Sequence, residues 1–162
     1  MTDLVALLQE FHREKLTQLL RHQAGARLVT QYDVNNTYQY VINREEAQLS
    51  WVATAILDLA GTIPADPDEP RLPAAGTAAE ATRTVIEEDA LDAQAFVERW
   101  RPRIDAMTNA RHAKMLRVIL GEVLEQKRFF EQALAGRTDL LGRRGAQLEP
   151  AHGVVLATRW IE

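Results

Sequence analysis

Cysteine is absent from all 162 residues. That excludes disulfides, zinc–thiolate centres, iron–sulfur clusters and thiol nucleophiles supplied by this chain alone. Long apolar runs are missing too. None approaches the ~20 residues that a membrane span needs. The opening MTDLVALLQEF has neither a basic stretch nor a cleavage site, so no signal peptide is read there. The expected setting is cytoplasmic, with no membrane partner. Positive charge is not in excess: 19 Lys and Arg face 23 Asp and Glu, a net charge of −4. A general nucleic-acid binder, which must neutralise phosphates, is not expected. No Gly-rich phosphate loop, nucleophile elbow or HExxH pattern occurs, and no internal repeat or low-complexity tract stands out.

What is present suits a soluble globular chain, with 46% hydrophobic and 26% charged residues. The length fits one domain plus an arm. Four segments carry the 3.6-residue period of amphipathic helices. The first runs from about Thr2 to Gln23, with Leu4, Val5, Leu8, Phe11, Leu16 and Leu19 on one stripe. Arg21 and His22 fall in its last turn, where positive charge suits the helix dipole, and Gly25 offers a stop. The second runs from about Thr30 to Leu59, through Val34, Tyr38, Val41, Leu49, Val52 and Ile56, and Gly61 ends it. The third covers about Thr77 to Met107, with Val85, Ala93, Phe96, Trp100 and Ile104 aligned. Pro102 is expected to kink or break it, and Asp92 to cap a restart. The fourth covers about Ala110 to Ala135, with Met115, Leu116, Ile119, Val123 and Phe130 inward and Gly136 as its end.

The connection between the second and third helices is long. In GTIPADPDEPRLPAAG, residues 61 to 76, prolines recur every third residue. As a polyproline II segment it would span about 50 Å at about 3.1 Å per residue. The preceding helix is about 45 Å long at 1.5 Å per residue. Such a connector can return the chain along the whole bundle, so that helices two and three run parallel; the alternative is a loose surface loop. The final stretch RTDLLGRRGAQLEPAHGVVLATRWIE is broken by glycine and proline, yet Leu140, Leu141, Val154, Val155, Leu156, Trp160 and Ile161 are too apolar for a disordered tail. Residues 1–136 are therefore read as a four-helix bundle. Residues 137–162 are read as an irregular C-terminal arm that packs on the bundle or on a neighbouring subunit.

Some polar residues lie on the apolar stripes when each helix is laid out at ~100° per residue. His12 sits beside Leu8, Leu16 and Leu19, while Glu10 and Glu14 point away. Glu45 is central, between Val41 and Leu49, and Gln48 shares its edge. Asp89 aligns with Val85, Ala93 and Phe96. Gln126 lies between Val123 and Phe130, and Glu122 flanks it. His12, Glu45, Asp89 and Glu122 each fall near mid-helix, which predicts a polar layer in the core. A carboxylate there must be hydrogen-bonded, paired, protonated or metal-bound. His112 reads as structural or surface, Glu87 and Glu88 as a solvated face, Phe129 and Phe130 as packing, and Trp51 and Trp160 as packing or interface. The pair Arg143 and Arg144 is too short for a nucleic-acid patch.

NREEAQLSWVATAILDLAG (43 to 61) and ILGEVLEQKRFFEQAL (119 to 134) resemble the second and fourth helices of ferritin-like and rubrerythrin-like proteins. The resemblance covers the helical part of the chain. It implies an all-α, ferritin-like four-helix bundle with a long crossover between helices two and three. Such bundles commonly hold two metals, through a Glu from each of two helices and Glu-x-x-His from the other two. Glu45 matches the bridging Glu of the second helix. Gln48 and Gln126 stand where the family has His, and Val123 stands where it has the paired Glu. Glu122 is displaced by one position, Asp89 is a candidate stand-in for the third-helix Glu, and the first-helix Glu has no inward match unless His12 replaces it or Glu10 turns inward.

An amide oxygen is a weak, neutral ligand. The expectation is thus a decayed metal centre, without a cofactor, in a homo-oligomer (a dimer) with a binding or assembly role. The alternative is an iron- or manganese-dependent oxidoreductase or iron-handling protein using Glu45, His12, Asp89 and Glu122. A third reading is a small-molecule pocket at the polar layer with Glu45 as proton acceptor.

Overall fold

The computed structural model describes residues 3–67, 70, 76–137 and 139–141. They form four helices: α1 (Leu4–Ala26), α2 (Tyr32–Asp58), α3 (Ala78–Asp105) and α4 (Ala110–Leu134), with no strand among the described residues. Three helix starts are capped by side chains. Asp3 accepts from the Val5 N–H at 3.0 Å, Asn109 from the His112 N–H at 3.1 Å, and Thr77 and Glu80 cap each other reciprocally. Each satisfies backbone donors that a helix start leaves open.

Several local expectations change. The α1 helix runs through Gly25 to Ala26. The glycine is there for proximity, because a Cβ on it would lie 2.7 Å from Val85 Cγ1 of α3. The turn that follows is closed by Asn35, whose amide donates to the carbonyls of Ala26 and Val29 at 2.8 and 3.3 Å. Asp92 caps nothing, since α3 is continuous through it; it accepts a hydrogen bond from Gln18 instead. Pro102 does not break α3. It lies on the exposed side in the last turn, and the carbonyl it leaves free, on exposed Glu98, can face water.

The α2 helix ends not on Gly61 but on Ala60, which takes a left-handed φ of 57°. The Gly61 N–H returns to the Ile56 carbonyl at 2.9 Å, closing a Schellman-type end. Gly61 is needed for a different reason: a Cβ there would lie 2.6 Å from Val5 Cγ1 of α1. Gly136, at φ 83°, ends α4 as expected.

The hairpins α1–α2 and α3–α4 pack against each other. Glu10 takes two hydrogen bonds from Arg103, at 2.7 and 2.6 Å, and Glu14 is bound by Arg99 at 2.6 Å. Residue numbers rise on α1 as they fall on α3, so these helices are antiparallel. The Arg103 guanidinium also stacks 4.1 Å from the Trp100 ring, and the buried Trp100 indole donates to Glu14 at 3.0 Å. Across the other seam, Arg44 binds Glu122 and Tyr40 meets Phe129, which makes α2 and α4 antiparallel too.

Buried apolar side chains form two clusters. One holds Leu8, Phe11, Val52, Ile56, Phe96, Trp100 and Leu116. The other holds Leu19, Tyr38, Val41, Val85, Phe129 and Phe130, together with Leu140 beyond α4. Buried polar residues occur on all four helices, among them His12, Lys15, Glu45, Gln48, Asp89 and Gln126. Because a left-handed alanine costs about 1–2 kcal/mol and glycine does not, Ala60→Gly should raise unfolding stability by about 1 kcal/mol, read as a higher urea midpoint at unchanged m-value.

Candidate functional site

Glu45 is 0% exposed and lies on α2 between Ile42 and Leu49 of the second cluster. Helical spacing on α1 aims Lys15 and His22, seven residues or two turns apart, at the same point. The Lys15 ammonium donates to Glu45 Oε1 at 2.7 Å, and His22 Nδ1–H donates to Glu45 Oε2 at 2.6 Å. Both carboxylate oxygens are thereby held by buried cationic groups. Lys15 also donates to Gln18 Oε1 at 3.2 Å and lies 5.7 Å from the centre of the Phe96 ring.

The network continues toward α3. His22 Nε2 is 3.9 Å from Asp89 Oδ1, and Arg21 reaches the same oxygen at 3.7 Å. The Tyr38 hydroxyl donates to Asp89 Oδ2 at 2.5 Å. Two carboxylates are thus matched by one ammonium, one imidazole and one half-exposed guanidinium.

The titration behaviour follows from this geometry. Burial alone would push the Glu45 carboxyl upward, but His22 and Lys15 outweigh it and hold the group at about 2. Burial likewise opposes a charged His22, yet the Glu45 carboxylate overcomes it and raises the imidazole above its ordinary value. Asp89 goes the other way: burial dominates over His22, Tyr38 and Arg21, and its carboxyl is raised. Burial and the neighbouring Asp89 push the Tyr38 phenol far up, so it stays a neutral donor. His12, with no anion bound to it, is lowered by burial.

The residues singled out in the sequence separate into distinct environments. Glu45 and Asp89 belong to the charged network, linked through His22. Gln48 donates to Glu122, which is held at the bundle edge by Arg44 at 2.6 and 3.1 Å. His12, Gln48 and Gln126 are buried, and among the described residues His12 Nδ1, Gln48 Oε1 and Gln126 Nε2 have no hydrogen-bond partner. The four candidate ligands Glu45, His12, Asp89 and Glu122 therefore do not converge. Among the described residues, no three His, Asp or Glu side chains are grouped as metal ligands would be. Both oxygens of Glu45 are engaged by Lys15 and His22, and the amide oxygens of Gln48 and Gln126 would be weak, neutral ligands.

Lys15, Gln18, His22 and Tyr38 complete this network, and the sequence pattern alone does not assign them to it. One signal was present. Leu8, His12, Lys15, Leu19 and His22 recur at alternating steps of four and three, which places a lysine on an inward position of α1. His22 is not a dipole-compensating residue of a last turn, because α1 continues one further turn and the imidazole faces the core. Comparison with known protein families, with curated proteins and with solved structures finds no match for this chain.

Removing Glu45 leaves Lys15 and His22 as buried cations without a counter-charge, so Glu45→Ala should cost about 3–5 kcal/mol in chemical denaturation. Lys15→Met combined with Glu45→Leu should cost less than the sum of the two single changes, which a double-mutant cycle measures.

The pH dependence has two limbs. Glu45 titrates lower when folded, so its stabilisation is present above the ordinary carboxylate range and is lost as pH falls toward about 2. His22 titrates higher when folded, so its stabilisation is complete below about 6.5 and is lost as pH rises through the raised value. Imidazole NMR should place the His22 midpoint above 6.5 in the native protein. In Glu45→Gln it should fall, because burial then acts without the carboxylate.

Proposed function

We propose that this chain is a ferritin-like bundle whose core carries its own cations in place of metals, and whose work is binding or assembly rather than redox chemistry. The observation that carries this reading is the Lys15 ammonium 2.7 Å from the central Glu45 carboxylate. The amides at 48 and 126, in the positions where the family has imidazoles, support it. The antiparallel registers of α1 with α3 and of α2 with α4 support the crossover, since they require α2 and α3 to run parallel. No described helix is long and apolar enough to cross a membrane, which is compatible with the cytoplasmic setting proposed here. The assembly is a homodimer in this reading. Exposed Tyr32, Leu57 and Leu91 offer apolar surface for it.

Elemental analysis of cleanly purified protein, before and after aerobic iron soaking, tests the metal-free centre. Iron and manganese should stay far below one equivalent per chain. A full equivalent that survives gel filtration would overturn the reading. Sedimentation equilibrium should return the mass of two chains.

A second reading, an iron- or manganese-dependent oxidoreductase, is favoured by the unpartnered His12 Nδ1 and Gln48 Oε1 in the buried layer. Aerobic iron oxidation that is lost in Glu45→Ala, in a variant still helical by circular dichroism, would support it over the first.

A further inference from the structure

The α2–α4 side of the bundle carries exposed aromatic and apolar side chains in a row. Tyr40 and Trp51, 40% and 39% exposed, stand about three helical turns apart on α2. Val118 of α4 is 48% exposed, and exposed Leu141 lies beside Tyr40. Tyr32, Leu57 and Leu91 stand apart from this row. Tyr32 starts α2, Leu57 is turned about 120° away from Trp51 around the helix, and Leu91 belongs to α3.

Charge is arranged along this side level by level. Near the middle, Arg44 of α2 binds Glu122 of α4, and Glu125 follows within one turn. Where α2 ends, Asp58 and Arg111 line one groove of about 240 Å³ together with Trp51 and Met115. A second groove, of about 480 Å³, lies between Tyr40, Glu125, Phe129 and Leu141. At the Arg44 and Asp58 levels, α2 and α4 thus carry opposite signs. Arg44 and Glu122 pair within the chain. Asp58, Arg111 and Glu125 form no ion pair among the described residues.

We propose that this face binds the same face of a second copy of the chain, about a two-fold axis that runs along the helices. Such an axis exchanges the two helices and keeps each level, so α2 of one copy lies on α4 of the other. Asp58 then meets Arg111 of the partner subunit, and Arg44 meets Glu125 of the partner subunit. Trp51 covers Val118 of the partner subunit. The interface is isologous, so each of these contacts is made twice. The proposal rests on the homodimeric reading above and names the surface that forms the dimer.

Two arguments favour a second copy as the occupant. The first is charge. Exchange of α2 for α4 at constant level sets each sign against its opposite, which is what a self-complementary face requires. An axis across the helices would instead lay α2 on α2, with the Asp58 end against the Asp33 end, like charge on like. The second is area. Asp33 to Asp58 spans about 38 Å at 1.5 Å per residue, and two helices side by side are about 20 Å wide. Two such faces bury about 1,500 Å² in all, close to the roughly 1,600 Å² of a standard stable interface.

Sedimentation equilibrium of the full chain tests this with Asp58→Arg, Arg111→Asp and an equimolar mixture of the two variants. Both sites are exposed, and each change puts at a helix end the charge that the dipole favours there, so the helices should survive, as circular dichroism checks. Either variant alone sets like charges against each other twice, and its dissociation constant should rise at least about tenfold. In the mixture, a copy with arginine at both positions meets a copy with aspartate at both. Dimers of wild-type strength should return, each holding one copy of either variant by native mass spectrometry. A mixture no stronger than the single variants would overturn the proposal. So would full-strength dimers of both single variants together with loss of the dimer in Leu91→Ser, which would move the interface to α3 and leave the homodimeric reading standing. A single-chain mass for the unmodified protein at every concentration would overturn both.

Discussion

A single carboxylate, that of Glu45, sets the terms for the centre of this molecule. It is inaccessible to water, and an isolated charge there would be expensive by several kcal/mol. The fold offsets that cost by bringing two groups from α1, an ammonium and an imidazole, to its two oxygens. The coupling is reciprocal. Glu45 keeps His22 charged against burial, and His22 and Lys15 keep Glu45 charged against the same burial. Removing any one member leaves the others in an environment none could occupy alone.

This arrangement also constrains packing. Apolar stripes on long helices tolerate sliding, because leucine against valine one turn higher is much like leucine against leucine. Sliding α1 by one turn would move Lys15 and His22 by about 5.4 Å and strip Glu45 of its partners. The buried charges therefore penalise misregistered hairpins, while the surface pairs Glu10–Arg103 and Glu14–Arg99 fix α1 against α3. Half-exposed pairs of this kind are individually weak. Two in sequence, with Trp100 bonded to one and stacked on the other, define a direction as well as a contact.

The layer has a second, less settled half. His12, Gln48 and Gln126 each bring a buried polar atom that no described residue satisfies. They lie beside the charged network rather than in it. Buried polar groups in native proteins are nearly always partnered, by protein or by ordered water. Both oxygens of Glu45, by contrast, are engaged.

Much of this was legible in the residues. The period of the apolar positions located all four helices to within a few residues, and the inward angle of Glu45, Gln48, Asp89 and Gln126 follows from helix geometry alone, with burial agreeing in each case. Pairing was not legible. Which cation meets Glu45 depends on the axial offset of α1 against α2, and no single helix encodes that offset. Lys15 was overlooked because a lysine on a stripe is ordinarily taken to reach out to solvent, and His22 because one extra turn of α1 changes its setting. Local sequence determined the helices, their caps and the side each polar group faces, since these depend on neighbours within four residues. The tertiary structure alone decided that Glu45 is held by Lys15 and His22, that Asp89 takes Tyr38, and that Glu122 is drawn to the edge by Arg44, because each is a distance between helices set by the packing of all four.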